Sequence, residues 1–586
     1  MLRRLGLIGV GAVAFALSCG GHSEVFERAA AGGGKAGHGG TGAGARSAGG
    51  CAACGGRAGA AGGAGRRANA SGGASGAAEA GAAAVGEVSG GAPSESGGAG
   101  QAGEASSAGG VTDGAAGGGA TAGTGETNAG AAGDAPTGSG NTLSITKVAV
   151  YQATEVTLVR GGALVQPNAP IVAGRDALVR VWVAPGTAWA PRTVAAELDV
   201  TAGTSSRSAT DSVEVSAAST DDELGSTFTF TLRAGEVRDT ATLSLTLHDT
   251  NGGAVLDRFP TTDAFTLGAS SSHGDFLVTL VPLIAGGLTP DLGAETVARF
   301  QRYLSRVYPA SGVQMTVRAA VTLAADVEPD GTGWDDALDV LYSTRDADDP
   351  APNVYYFGVL TPAPTFSAYC TGNCVVGLST VATKNDVSSR GAIGTGYFVT
   401  DADTFSQETM AHELGHALGR EHAPCGDPDD VDPDYPYSYG EIGVLGFNGK
   451  SLLDKDEYKD EMSYCVPVWI SDYTWGGIFD RISYVNGLSP RVVSGAPAAR
   501  ERYRTLAVER DGSLRWGRER SPSSAPAGEP LAVELLDRNG GVLDVVAASF
   551  ARFDHLPGGF VSVPAAALER PDVASVRVNG AVLAVP

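Results

Sequence analysis

Residues 412–422 read HELGHALGREH, and they restrict what this chain can fold into more than any other stretch. Thr404 and Gln407 have the spacing of a capping box. From Phe405 to Leu418 there is no proline and a single glycine, Gly415, so the pattern predicts a helix there. Met410, Leu414, Ala417 and Leu418 give that helix an apolar side. His412 and His416 then stand one turn apart, with both imidazoles on the same face. Gly419 falls where a helix end takes up a left-handed conformation, and a sharp turn there would swing His422 back toward the pair. Three imidazoles leave the fourth position of a zinc ion open, which is the arrangement of a catalytic site; a structural site uses a fourth protein ligand, commonly cysteine. Glu413 would lie beside the metal without ligating it, placed to take a proton from water and pass it to a leaving amine. With only eight histidines in 586 residues, five fixed positions within eleven make accident a poor account.

HELGHALGREH resembles the zinc signature of the metzincin metalloproteases. The resemblance implies a methionine turn beneath the metal, and Met462 in "DEMSYC", forty residues beyond His422, is the candidate. Met462-Ser463-Tyr464 matches the Met-x-Tyr variant of that clan, in which the tyrosine ligates zinc or stabilises the oxyanion, so Tyr464 is an auxiliary candidate beside Glu413. The fold implied is an α/β domain, a mixed twisted sheet plus the active-site helix. Substrate would lie extended along its edge strand, for which "CVVGLSTVA" (374–382) and "GAIGTGYF" (391–398) are the candidates. The resemblance covers 412–422 and 460–464 and names no subfamily. Between them runs an acidic, tyrosine-rich insert, "DPDDVDPDYPYSYGEIGVLGFNGK", read as a solvated loop. It could also line the cleft or bind Ca2+, although it lacks the regular spacing of a calcium loop.

The rest of the chain divides by texture. Residues 1–19 combine Arg3 and Arg4, an apolar run from Leu5 to Leu17, and Ser18 before Cys19. This resembles a bacterial lipoprotein signal, which implies export and an outer-membrane or cell-surface lipoprotein anchored through a lipid on Cys19; the alternative is ordinary cleavage and secretion. Residues 20–141 are mostly Gly, Ala, Ser and Thr, hold much of the chain's 86 glycines, and have too little apolar side chain to offset the entropy of ordering them. They read as a tether. Residues 142–272 alternate with period two ("LSITKVAVY", "ALVRVWVAP", "ATLSLTLHD") and predict an all-β sandwich. Residues 273–490 mix strands and helices, with Val297, Phe300, Leu304 and Val307 on one helix face. Residues 491–586 return to short strands and predict a small C-terminal β domain, so sandwich-like all-β domains would flank the catalytic one.

Seven cysteines suit an oxidising compartment. Cys370 and Cys374 are close enough for a tight loop disulfide, Cys51 and Cys54 form a local CxxC, and Cys425 and Cys465 remain as a long-range pair. A disulfide between those two would tie the third-ligand segment to the methionine turn. The net charge of −24, with no basic stripe, argues against nucleic acid as a partner. The function expected is a zinc-dependent endopeptidase acting on extracellular proteins or glycoproteins. The rival is a surface adhesin or glycan-binding lipoprotein whose zinc domain is subordinate or inactive, and the intact Glu413 speaks against it. No segment displays a latency cysteine, and no motif specifies an oligomeric state.

Overall fold

The computed structural model describes residues 140–383, 386, 388–398, 404–488 and 500–586. The signal segment with Cys19, the tether up to residue 139 and the Cys51–Cys54 motif lie outside them. No helix among the described residues is long and apolar enough to cross a membrane.

The alternating segments after residue 142 form two five-stranded antiparallel sheets. One contains Leu143–Tyr151, Glu155–Arg160, Ala163–Leu164, Ala177–Pro185 and Phe228–Leu232. The other contains Arg192–Ala202, Ser205–Val215, Thr242–Asp249, Val255–Phe259 and Phe265–Thr266. Alternate residues such as Val148, Val179, Leu198 and Leu245 are buried in a shared core, as period-two patterning requires. Ser205–Val215, an outer strand in register with Arg192–Ala202, alternates more weakly, its inward residues half-buried except the buried Val215.

The central region is built on a mixed sheet of β1 (Phe276–Ile284), β2 (Val313–Val317), β3 (Val354–Leu360), β4 (Gly377–Ser379) and β5 (Gly391–Thr395). Their order is β2-β1-β3-β5-β4, and the short strand Val321–Thr322 pairs alongside β1. All these pairings are parallel except that of β4, which runs antiparallel to β5 at the sheet edge. Its helices are α1 (Ala294–Val307), α2 (Trp334–Asp348), α3 (Phe405–Ala417) and α4 (Asp472–Gly487). Both faces of β3 are covered: Tyr355, Phe357 and Val359 join the core that includes α1, α3 and the sandwich, while Tyr356 and Leu360 join the one that includes α2. That explains its unbroken apolar run. The sandwich and the central sheet therefore share one core, pinned by indole donors from Trp469 to the Ala153 carbonyl and from Trp475 to that of Pro170, both 2.9 Å.

The C-terminal region is a single seven-stranded antiparallel sheet rather than a sandwich. It includes β6 (Val542–Arg552) and β7 (Gly559–Pro564). Trp516, on one outer strand, donates to the Ala584 carbonyl on the other at 2.7 Å, so the sheet curls toward a barrel around its own core. Arg515 pairs with Asp335 and Asp336, and Arg520 with Asp346 at 2.8 Å, docking this sheet onto α2.

Candidate metal centre

Helix α3 runs beneath the sheet edge with Met410, Leu414 and Ala417 in the core, as its apolar side requires. Its start departs from the capping-box expectation. Thr404 has φ −107° and ψ 0°, not the extended backbone of a capping residue, and its hydroxyl donates to Glu408 at 2.6 Å instead of accepting from the helix backbone. The other end follows the sequence. Gly419 has φ +83°, its N–H reaches the His416 carbonyl at 2.8 Å, and the Arg420 N–H reaches that of Gly415 at 2.9 Å. This paired closure satisfies two carbonyls that a helix end leaves orphaned and reverses the chain. His422 thereby returns to the helix.

The three imidazoles are oriented by backbone carbonyls. His412 Nδ1 donates to Glu461 at 2.6 Å, His416 Nδ1 to Arg420 at 2.7 Å, and His422 Nδ1 to Asp429 at 2.7 Å. A carbonyl can only accept, so each neutral ring carries its proton on Nδ1 and presents a bare Nε2. The Nε2 atoms of His412 and His416 stand 3.1 Å apart with no proton to share. Two lone pairs face each other at that distance favourably only with a cation between them. The residues thus fit a metal, and the carbonyl partners are the outer contacts that metal-bound histidines use. Burial, reinforced by the neighbouring rings, holds His412 and His416 well below the usual imidazole range and pushes His422 down to about 4. All three are therefore neutral, the form that ligates.

Glu413 is 1 % exposed, and β4 makes room for it: a Cβ on Gly377 would lie 2.1 Å from Glu413 Oε1. Burial, and then the facing Asp554 carboxylate, raise its pKa well above the carboxylate range. Met462 lies below the helix, where a Cβ on Gly415 would come within 2.4 Å of its sulfur, which accounts for the one glycine inside α3. The turn that carries Met462 is set by the buried Asp460 carboxylate, which accepts from the N–H groups of Met462 and Ser471, both at 2.9 Å. Tyr464 places its hydroxyl 3.0 Å from His422 Nε2.

Both cysteine pairs in the described region are disulfides, Cys370–Cys374 and Cys425–Cys465. The second fastens the His422 segment to the turn that carries Met462, where Ala423 N–H also donates to Met462 O at 2.9 Å and Tyr464 N–H to Cys425 O at 3.0 Å. Cys374 lines a cavity of about 40 Å³ with Phe405, Thr409, His412, Glu413 and Glu461.

The acidic insert is solvated in part, with Asp427, Asp429, Asp430 and Asp434 exposed, and tied to the protein in part. Asp429 orients His422, Asp432 accepts from Arg420 and Tyr473, and Tyr437 donates to Asp472 at 2.6 Å. Further on, Leu445 and Phe447 pair with Glu155 and Ala153 of the sandwich. Among the described residues the insert gathers no cluster for calcium; the two groupings suited to a metal are both at this site.

A residue that the motif does not include completes the centre. His555, in the turn between β6 and β7, joins His412, His416 and His422 in a group whose ligand atoms all lie within 4.8 Å of one another. Its Nδ1 is 2.6 Å from the Tyr464 hydroxyl and its Nε2 is 2.9 Å from Glu413 Oε1. Four of the chain's eight histidines thus meet at one buried point that could hold a metal ion. The sole sequence signal for the fourth was "FDHLPGG", a histidine in a turn between two strands. No known protein family matches the chain and no curated protein matches it, so the chemistry of the site rests on its own residues.

Proposed function

We propose that the chain is an exported, lipid-anchored zinc endopeptidase of the metzincin type, acting on extracellular proteins or glycoproteins. The observation that carries this reading is the convergence of three bare Nε2 atoms, each ring fixed by a carbonyl, with Glu413 buried alongside. His412, His416 and His422 would hold the ion. When bound, zinc polarises the scissile carbonyl and lowers the pKa of water at its open position. Glu413 takes the proton of the attacking water and delivers it to the leaving amine. Its raised pKa suits the second half of that task, in which it must act as an acid. Tyr464 donates its hydroxyl proton toward the oxyanion as charge develops. The outer edge of β4 is the place where an extended peptide would pair its backbone groups. The two disulfides are compatible with an extracellular setting.

A second reading, a binding lipoprotein with an inactive metal domain, draws on His555. Four protein ligands are the mark of a closed structural site. Against it stands the cost of Glu413: a buried carboxyl with Oε2 unpartnered is expensive and has no task at a structural centre. The test is cleavage of a mixed protein and glycoprotein panel by the full chain and by Glu413→Ala, with zinc quantified in both. Cleavage by the parent, lost in the variant at equal zinc content, is the expected outcome. Equal cleavage by both would remove Glu413 from the chemistry and this reading with it.

A further inference from the structure

The β6–β7 turn does more than lend a histidine. The segment leading into it pairs with the chain leaving β4: Val381 N–H donates to Arg552 O at 3.0 Å, Asp554 N–H to Ser379 O at 3.3 Å, and Thr380 bridges Phe553 antiparallel. The hairpin is thus added to the edge of the central sheet, the place and direction in which an extended peptide would add itself. Side chains fasten it there. The Asp554 carboxylate accepts from Ser379 N–H at 3.0 and 3.1 Å, and Phe553 is buried against Phe560 with ring centroids 4.8 Å apart. Arg552 pairs with Glu421 at 2.9 Å and with Asp430, on either side of His422. His555 then faces all three histidines of the motif, its ring 5.1 to 5.5 Å from theirs. The cavity beside Glu413, lined by His412 and His555 as well, is small, about 40 Å³, room for a few waters.

We propose that this turn is an intramolecular latch: His555 is a fourth, displaceable ligand of the metal, and residues 552–554 occupy the sheet edge where substrate would pair. The folded chain therefore cleaves only through the fraction of molecules in which the turn has withdrawn, so the parent activity is low but not absent. The proposal rests on the zinc-endopeptidase reading for its consequence, although not for the ligation itself. It also explains why a site with the residues of an open catalytic centre is closed: the closing group comes from a separate sheet on a short turn, whereas the three motif ligands come from α3 and the segment after it. A permanent structural ligand would give the same coordination but no gain of activity on removal, and a catalytic histidine would give a loss.

The test uses the full chain loaded with Co2+, whose visible and X-ray absorption spectra report the number of nitrogen ligands, together with the rate of metal removal by a chelator and the peptide-cleavage rate. Wild type should show four nitrogens. His555→Ala should show three plus an exchangeable water, keep one metal per chain, lose it faster to chelator, and cleave about tenfold faster or more, since the competent fraction rises. Identical spectra would overturn the ligation. A changed spectrum with cleavage lost would overturn the latch, because His555 would then be needed for chemistry. A changed spectrum with no cleavage by any variant would uphold the fourth ligand and sink the endopeptidase reading instead. Should His555→Ala fail to fold, Asp554→Ala keeps the ligand but releases Ser379. It should shift the spectrum toward the three-nitrogen form and speed metal loss, and no change in either would overturn the proposal.

Discussion

Two segments supply this centre, and they differ in how they are held. The first, residues 412–422, places its ligands by local geometry: one helical turn between His412 and His416, then a left-handed glycine that returns His422. Its rings are fixed by carbonyls from Arg420, from Asp429 in the adjoining insert and from Glu461 across a disulfide-tied turn. The second, residues 552–558, reaches the same point from a separate sheet, and contacts across the sheet edge hold it there. His412 and His416 are held by their helix and all three motif rings by carbonyls at Nδ1. A ligand on a turn can leave when the turn does. The difference in origin is the reason for assigning the first segment to metal binding and the second to closure.

The comparison breaks most visibly on metal content. His416→Ala should reduce the metal retained after dialysis from one equivalent to near zero, whereas His555→Ala should keep it; equal loss from both would erase the distinction between the segments. Gly377→Ala comes next. The added methyl cannot coexist with Glu413 in its present place, and a misplacement of about 1 Å can cost about 100-fold in rate. Cleavage by the variant should fall on that scale with metal content unchanged, and an unaltered rate would remove the edge strand from the positioning of the base.

Acidity sharpens the comparison through the ligands themselves. In the metal-free fold burial keeps His412, His416 and His422 neutral, with His422 pushed down to about 4, while the unfolded chain takes up their protons near 6.5. Below that value the unfolded state binds more protons, so the stability present at neutral pH is lost as pH falls from 6.5 toward 4. Urea midpoints of the metal-free chain should decline across that window, and a flat profile would mean the rings are not buried as described. Gly419→Ala is the mildest change. Forcing a side chain into φ +83° costs about 1 to 2 kcal/mol, to be read as a lowered unfolding midpoint together with weaker metal retention.

How much of this could be read beforehand follows from range along the chain. The sandwich strands Leu143–Tyr151 and Ala177–Pro185, the helices α1 and α3, and the glycine turn depend on period and on single residues, and each stands where the pattern put it. Ser205–Val215 is a strand because of its partner, not its own composition. The acidic insert reads as solvated, and Asp427, Asp429 and Asp434 are exposed, yet Asp432 and Tyr437 find partners on the His422 segment and α4, and the backbone at Leu445 and Phe447 pairs with the sandwich. His555 is the extreme case. It is 133 residues beyond His422, in a turn whose spacing specifies nothing, and the docking of Arg515 and Arg520 on α2 together with the pairing of residues 552–554 on the sheet edge carries it to the candidate metal site.

The most direct measurement is anomalous diffraction from crystals of the zinc-loaded full chain. The account predicts a single strong peak among His412, His416 and His422 with each Nε2 at about 2.0 to 2.1 Å, and with Glu413 outside the coordination shell. A peak at the acidic insert or elsewhere, or a zinc-loaded chain whose three histidines leave the metal untouched, would contradict it.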